Sequence, residues 1–179
     1  MKNSLRISSS PLSGILSGFA LLVIASCQST STLDTDAIIR ATQHIPAHFE
    51  HEEVDALVEI FTDTAAILTS PFQQIQGAEE IRSYWSRYIN PISMHIQHHG
   101  FYPDAATCRQ EPRIPEPLRN LITLPTKAVD PDQPTVIQWA DWKLTYEAED
   151  GVIREEDQPC LIVWISGPAG WRIQWMAKG

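Results

Sequence analysis

Residues 77–99, GAEEIRSYWSRYINPISMHIQHH, decide the fold class, because their apolar pattern changes from a helical to a strand period at Pro91. Before Pro91, apolar side chains recur three or four positions apart, which predicts a helix that starts after Gly77 and stops at Asn90. After Pro91, apolar and polar residues alternate, which predicts a strand. A helix that leads directly into a strand of this kind favours an α+β domain.

The flanking segments extend this pattern in both directions. Upstream, one helix begins near Asp34 and is interrupted by Pro46, a second carries apolar positions from Val54 to Phe61, and residues 65–68 predict a short strand. Downstream, residues 105–108 begin a return strand, and three further strands are predicted at 136–146, 160–165 and 171–176. We therefore predict three N-terminal helices packed on a curved, mostly antiparallel sheet.

A proline-rich segment, about residues 109–134, separates the early strands from the late ones. Proline lacks the N–H group that a central strand needs, so this density of prolines excludes a central strand or a long helix. We interpret the segment as an ordered insertion with one short element at Leu118–Leu124. Its prolines are Pro112, Pro115, Pro117, Pro125, Pro131 and Pro134.

The first 26 residues have the organisation of a secretory signal peptide. Lys2 and Arg6 precede the apolar run 19–23, which is shorter than the roughly 20 residues needed to span a bilayer. The next residues, Ile24-Ala25-Ser26-Cys27, resemble the bacterial lipobox, which implies that Cys27 becomes the lipid-carrying (palmitate-bearing) first residue. The alternative is an ordinary signal peptide with a chance cysteine.

This interpretation divides the chain into a signal peptide (1–26), a lipidated tether (27–33) and one domain (34–179). Gln28 resembles the outer-membrane sorting class, so we expect a lipid-anchored protein of the bacterial cell envelope, at the outer membrane and facing the periplasm. The formal net charge of −9 argues against a nucleic-acid partner. In an oxidising compartment the remaining cysteines, Cys108 and Cys160, favour a disulfide, and two unlinked thiols are the alternative.

The order of elements resembles the nuclear transport factor 2-like superfamily, in particular its SnoaL-like branch. The residues that carry the resemblance are VDALVEIFTDTA at 54–65, GAEEIR at 77–82 and GWRI at 170–173, and the resemblance extends from about Ile38 to Trp175. It implies a conical half-barrel with a pocket at its open end and frequent dimers through the sheet. Members include isomerases, cyclases and dehydratases of small cyclic compounds as well as binding or assembly modules, so membership alone does not fix a function.

Two residues are candidates for catalysis. Met94, Ile96 and His98 are two positions apart along the predicted strand, so His98 shares the face of the other two. On a concave face it could act as a general base. The alternative is a strand histidine whose hydrogen bonds are satisfied by the backbone or by water. Asp141 lies in a late strand like the aspartate of the polyketide cyclases, but its alternation places it outward, near Lys143, where a solvent-facing carboxylate is the simpler interpretation.

The residues expected to bind a ligand are aromatic. Ala140, Trp142, Leu144 and Tyr146 share the face predicted to be buried. The acidic residues at 149–150 and 155–157 are interpreted as a solvated turn region. The expected ligand-binding residues are Tyr84, Trp85, Tyr88, Trp142, Tyr146 and Trp164.

No cofactor or metal is predicted. His44, His48 and His51 are spaced like one stripe of a helix, but Pro46 falls inside the stripe and a structural zinc site needs about four ligands. We interpret these histidines as a surface cluster.

Three functional hypotheses follow. The first is a lipid-anchored pocket protein that binds a small, largely apolar molecule. The second is an isomerase, dehydratase or hydrolase of a small cyclic compound that uses His98 with Tyr146, Tyr84 or Asp141. The third is an interaction module whose outer sheet face, around Trp139, pairs with another copy to form a homodimer or with a different partner protein.

Overall fold

The computed structural model describes residues 33–69, 73–122 and 133–179. Three short helices come first, and a fourth follows the first two strands. Asp34 starts the first of them, since its carboxylate accepts a hydrogen bond from the Ala37 N–H at 3.1 Å. Pro46 lies in the first turn of the second helix, where its missing N–H needs no partner, so the first predicted helix is in fact two. The helices are α1 (Thr35–Thr42), α2 (Ile45–Glu50), α3 (Val54–Glu59) and α4 (Ala78–Trp85).

Six strands form one sheet in the order β2-β1-β6-β5-β4-β3. Every neighbouring pair is antiparallel except β1 and β6, which are parallel. The predicted α+β class with a mostly antiparallel sheet is therefore confirmed. The strands are β1 (Phe61–Thr69), β2 (Gln73–Gln76), β3 (Pro91–Tyr102), β4 (Thr135–Glu147), β5 (Ile153–Gly167) and β6 (Gly170–Lys178).

The segment after β3 differs from the prediction. Residues 105–108 belong to a helix, α5 (Ala105–Arg109), because the Asp104 side chain caps it by accepting from the Thr107 N–H at 2.7 Å. A second short helix, α6 (Glu116–Leu121), follows close to the predicted short element. The return strand predicted at 105–108 is therefore wrong.

The sheet separates two hydrophobic clusters. We call the face toward α1–α4 the inner face and the face toward α5 and α6 the outer face. Alternate side chains of β4 and β5 enter the two clusters, as the strand period requires. Inner-face residues include Ala140, Trp142, Leu144, Ile162 and Trp164, and outer-face residues include Ile137, Trp139, Leu161 and Val163.

Trp139 does not form the exposed surface that a dimer through the outer face would use. Only 8% of its surface is exposed, and it packs in the cluster that also contains Ile114, Leu118 and Ile122. The proline-rich insertion therefore covers the sheet around Trp139 with residues of the same chain.

The predicted disulfide is not formed. Cys108 and Cys160 are free and buried, and they lie in the outer and inner clusters respectively, on opposite faces of the sheet. Burial raises the pKa of each thiol to about 12.

Several predictions fall outside the described residues. The signal peptide, Cys27 and most of the tether precede residue 33, and residues 123–132 of the insertion are also outside. Among the helices at 33–69, 73–122 and 133–179, none has the length and apolar content needed to cross a membrane.

Candidate functional site

A connected set of polar side chains occupies the inner face where the end of α4 meets β5. The Tyr84 hydroxyl lies 3.2 Å from the Tyr88 hydroxyl, and Tyr88 in turn donates to Glu156 Oε2 at 3.3 Å. Tyr146 donates to Glu156 Oε1 at 2.6 Å, and the Gln158 amide also donates to this carboxylate. Glu156 therefore accepts hydrogen bonds from three side chains, which come from the segment after α4, from β4 and from β5 itself.

Local sequence explains how these groups converge. Gly77 precedes α4 with a φ of 87°, a backbone conformation that favours glycine. The helix carries Tyr84, and the turn that follows it brings Tyr88 against the Tyr84 ring. On β5, Glu156 and Gln158 continue the alternation that brings Cys160 and Ile162 to the inner face. The strand period thus carries a carboxylate into contact with the tyrosines.

Lys178, near the end of β6, extends this set into the core. Only 8% of its surface is exposed, and its Nζ donates to the Tyr84 hydroxyl. Burial lowers the pKa of Lys178 and raises that of Tyr84, because both charged forms lose hydration. The hydrogen bonds are consistent with one donor direction from Lys178 through Tyr84 and Tyr88 to Glu156.

Arg87 adds a second cation beside the same tyrosines. Its guanidinium carbon lies 4.0 Å from the centre of the Tyr84 ring and 5.3 Å from that of Tyr88, within range of a cation–π interaction. It also contacts the Tyr88 hydroxyl at 3.5 Å. This network (Tyr84, Arg87, Tyr88, Tyr146, Glu156, Gln158 and Lys178) is the candidate site.

Two cavities border the network, and Tyr88 lines both. One has a volume of about 570 Å³ and a largely polar wall that includes Arg87, Tyr146, Arg154 and Glu156. The other, about 260 Å³, is lined by the apolar residues Phe49, Val54, Leu57, Trp85 and Ile89 together with the polar residues Glu52 and Ser86. Tyr88 is thus a wall residue of both the apolar pocket and the charged cavity.

The hydroxyl of Tyr146 is held in its neutral form. Its hydrogen bond to Glu156, burial and the nearby negative charge together raise its pKa to about 12. The phenol is therefore a donor rather than a phenolate at physiological pH.

The predicted ligand-binding residues divide into two groups. Tyr88, Tyr146 and Trp85 line the cavities. Tyr84, Trp142 and Trp164 are buried in the inner cluster, where Trp142 stacks on Trp85 at 6.1 Å between ring centres. The indole Nε1 atoms of Trp85 and Trp142 have no hydrogen-bond partner among the described residues.

Four members of the network were not predicted: Arg87, Glu156, Gln158 and Lys178. Residues 155–157 were interpreted as part of a solvated turn, but they lie within β5, and the turn is confined to residues between Glu147 and Ile153. The alternation of Glu156 and Gln158 with Cys160 and Ile162 was the available signal. It points these polar residues to the same side as the core.

The two predicted catalytic residues do not converge. His98 shares the inner face with Met94 and Ile96, as predicted, and pairs across the ladder with Ala140. Asp141 lies on the outer face and pairs with His99 at 2.8 Å, not with Lys143, whose partner is Asp157 at 3.5 Å. A site that combines His98 with Asp141 is therefore excluded by the sheet between them.

The N-terminal histidines show no metal-binding geometry. His48 pairs with Glu53 at 2.5 Å, and the rings of His44 and His48 are 6.3 Å apart. Within the described part of the chain, no group of three or more histidine, cysteine, aspartate or glutamate side chains is placed to hold a metal.

Several solved structures share this arrangement of helices and sheet. A conserved protein from Planctomyces limnophilus superposes with a TM-score of 0.57 at 14% identity, covering 80% of this chain and 93% of that one. A protein from Novosphingobium aromaticivorans, described as NTF2-like with a cystatin-like fold, gives 0.51 at 11% identity over 81% and 80%. The present chain has a nuclear transport factor 2-like fold.

A third structure is similar to this chain in fold and very different from it in sequence. A ketosteroid isomerase-like protein from Erwinia carotovora matches with a TM-score of 0.51 at 11% identity, over 80% of this chain and 90% of that one. No family model matches the sequence, and no curated protein matches it. At these identities the likeness concerns the fold alone, and assignment to the SnoaL-like branch stays a prediction.

Proposed function

We propose that this domain binds a small molecule with an apolar body and one polar end, and that a lipid on Cys27 holds it at the bacterial cell envelope. The observation that carries the binding proposal is the position of Tyr88, which lines an apolar pocket on one side and a polar cavity on the other. Sites for small ligands are typically apolar with a few convergent polar groups.

The apolar pocket would receive the body of the ligand. Its wall includes the rings of Phe49 and Trp85 and the side chain of Leu57. Its volume of about 260 Å³ is near the lower end of the range for small-ligand pockets, which favours a body of one or two rings.

The polar cavity would receive the polar end. Tyr146 and Tyr88 present hydroxyls that already face Glu156, and Arg87 stands beside them. A ligand hydroxyl or amine could insert between a phenol and the carboxylate and exchange one hydrogen bond for two. The fold supports this use, since nuclear transport factor 2-like domains commonly bind small molecules.

The test is a thermal-shift and calorimetric screen of one- and two-ring compounds, each with one hydroxyl or amine, against the wild type and two variants. We expect at least one compound to raise the unfolding midpoint of the wild type. Tyr146→Phe and Glu156→Gln should weaken that compound by about 1–2 kcal/mol, roughly 5- to 30-fold, because each removes one partner of its polar end.

Tyr102→Phe is the matched control. Tyr102 also donates to a glutamate, Glu111 at 3.3 Å, but on the outer face. It should bind the compound like the wild type. If no compound binds, or if Tyr102→Phe weakens binding as much as Tyr146→Phe, the proposed site is wrong.

The anchor is tested separately. In a bacterial host fed an alkyne-tagged palmitate, the full-length chain should become labelled and appear in the outer-membrane fraction. Cys27→Ser should abolish both the label and the membrane association. An unlabelled, released wild-type protein would instead indicate an ordinary signal peptide.

A further inference from the structure

A second polar arrangement lies on the inner face, remote from the network around Glu156. It consists of Trp164 on β5, Gln138 on β4 and His98 on β3. Trp164 Nε1 lies 2.7 Å from Gln138 Oε1, and Gln138 Nε2 lies 2.5 Å from His98 Nδ1. Trp164 and Gln138 are both fully buried, whereas His98 is half-buried.

The direction of these hydrogen bonds follows from the chemistry of the groups. An indole nitrogen can only donate, so the oxygen of the Gln138 amide must face Trp164. The amide nitrogen then faces His98, and it too can only donate. His98 Nδ1 must therefore accept, which leaves the ring proton on Nε2.

Reversing the arrangement would be costly. Turning the Gln138 amide around would place its N–H groups against the buried Trp164 N–H and leave both donors without an acceptor. Protonating His98 would place an Nδ1–H against the amide N–H. Burial, together with the charges of His95 and His99, also lowers the pKa of His98.

The described residues supply no hydrogen-bond acceptor for the remaining nitrogen, Nε2. His99 is bound to Asp141 on the outer face, and on α2 the Glu50 carboxylate accepts from the Met94 N–H at 3.4 Å. Among the described residues no hydrogen bond to His98 Nε2 occurs, and this atom is not among the buried unpartnered ones. The Phe101 ring lies 5.8 Å from the imidazole and offers a flat apolar neighbour.

We propose that Trp164 and Gln138 hold His98 as the neutral tautomer with its proton on Nε2, so that His98 does not act as a base and offers a bound molecule only a hydrogen-bond donor, which suits a carbonyl oxygen. The lone pair that a general base needs is already occupied by Gln138. This role is distinct from the polar end proposed above, since His98 and Pro91, which pairs with Tyr146, are separated by roughly 20 Å along β3.

The tautomer is measured directly by long-range proton–nitrogen correlation spectra of nitrogen-15-labelled protein. We expect a pyrrole-type Nε2 and a pyridine-type Nδ1 for His98, unchanged as the pH falls through about 6.5, where an ordinary histidine titrates. A proton on Nδ1, or an ordinary titration, would overturn the proposal.

Two variants test whether the neighbours impose the tautomer. In Gln138→Glu the carboxylate accepts from both Trp164 and His98, so His98 should carry a proton on Nδ1 and titrate above about 6.5. Trp164→Phe removes the donor that orients the Gln138 amide, so both tautomers of His98 should be populated. This variant replaces Gln138→Glu as the test if the buried glutamate prevents folding. A wild-type pattern in a folded variant of either kind would refute the imposed orientation.

The donor role is tested with acetophenone and its oxygen-free analogue ethylbenzene. Acetophenone should shift the His98 Nε2–H resonance, ethylbenzene should not, and His98→Phe should weaken acetophenone about tenfold, or 1.4 kcal/mol. No response, or an equal response to both probes, would overturn the donor role. Tyr146→Phe should leave this response unchanged, so failure here is distinguishable from failure of the site at Glu156.

Discussion

The two faces of the sheet are both closed to solvent over most of their area, yet they are built differently. The inner face packs on four helices and contains hydrogen-bonded polar groups such as Lys178, Gln138 and Gln158, which are almost completely buried. The outer face around Trp139 packs on the two short helices α5 and α6, and its charged contacts, such as Arg113–Glu111, lie toward solvent. Burial alone therefore does not distinguish the two faces, whereas the almost completely buried polar groups of the inner face do.

The largest expected effect contrasts neighbouring tryptophans on the two faces. Trp142 is 1% exposed on the inner face and Trp139 is 8% exposed on the outer face. Trp142→Ala should lower the free energy of unfolding by about 3–5 kcal/mol, and Trp139→Ala by about 1 kcal/mol less, because its cavity opens toward a thinner cover. Urea unfolding monitored by circular dichroism measures both changes.

The comparison fails if Trp139→Ala is the more destabilising of the two. That result would mean that the outer cluster, and not the helix-covered face, is the main core. An unchanged dependence on urea concentration in both variants is needed for the two free energies to be compared.

A smaller effect tests the cover itself. Leu118 on α6 is buried in the outer cluster with Cys108 and Leu161. Leu118→Ala should lower the free energy of unfolding by about 2–3 kcal/mol. Tyrosine absorbance titration should show the Tyr146 contact on the inner face unchanged. A loss below about 1 kcal/mol would indicate that the insertion does not pack on the sheet as described.

The smallest effect is a shift in one pKa. Glu156→Gln removes the negative charge beside Tyr146, so the pKa of Tyr146 should fall from about 12 toward its ordinary value near 10. The ordinary phenol ionises first in the unfolded chain. The stabilising contribution of the Tyr146–Glu156 contact is therefore complete below about pH 10 and is lost as the pH rises toward 12.

Tyrosinate absorbance followed against pH measures this shift. Tyr102, whose pKa is also raised to about 12 by burial and by Glu111, should not respond to Glu156→Gln. If the two tyrosines respond alike, the effect is global and the inner-face contact is not its cause.

The fold was largely predictable because each helix and strand has its own period of apolar residues, which can be recognised in the sequence. The change of period at Pro91 located α4 and β3, and the alternation of β4 assigned Trp142 and Leu144 correctly to the core. The alternation did not reveal that Trp139 is buried too, because its cover comes from a distant insertion whose prolines suggested only irregular structure. A strand pattern cannot show whether its second face meets solvent or another segment.

The site was less predictable, for reasons that particular residues illustrate. Tyr88 and Tyr146 were chosen as aromatic walls, and the pattern gave no indication of their shared hydrogen-bond partner. Glu156 was assigned to a turn because three acidic residues in sequence usually face solvent. Lys178 becomes significant only through Tyr84, which lies far away in the sequence. Contacts of this kind are set by the tertiary fold.

The parallel pairing of β1 with β6 also determines when this protein can fold. Phe61 pairs with Ile173, and the Thr62 hydroxyl donates to Gln174 across 112 positions of sequence. β6 lies between β1 and β5, so the β1–β2 hairpin has no place in the sheet until the final strand is available. Strand pairings between residues this distant in sequence slow folding, because the intervening chain loses conformational entropy before the contacts that stabilise it have formed. During synthesis the first half of the chain should therefore remain unstructured, and folding should be a late event completed by the last strand.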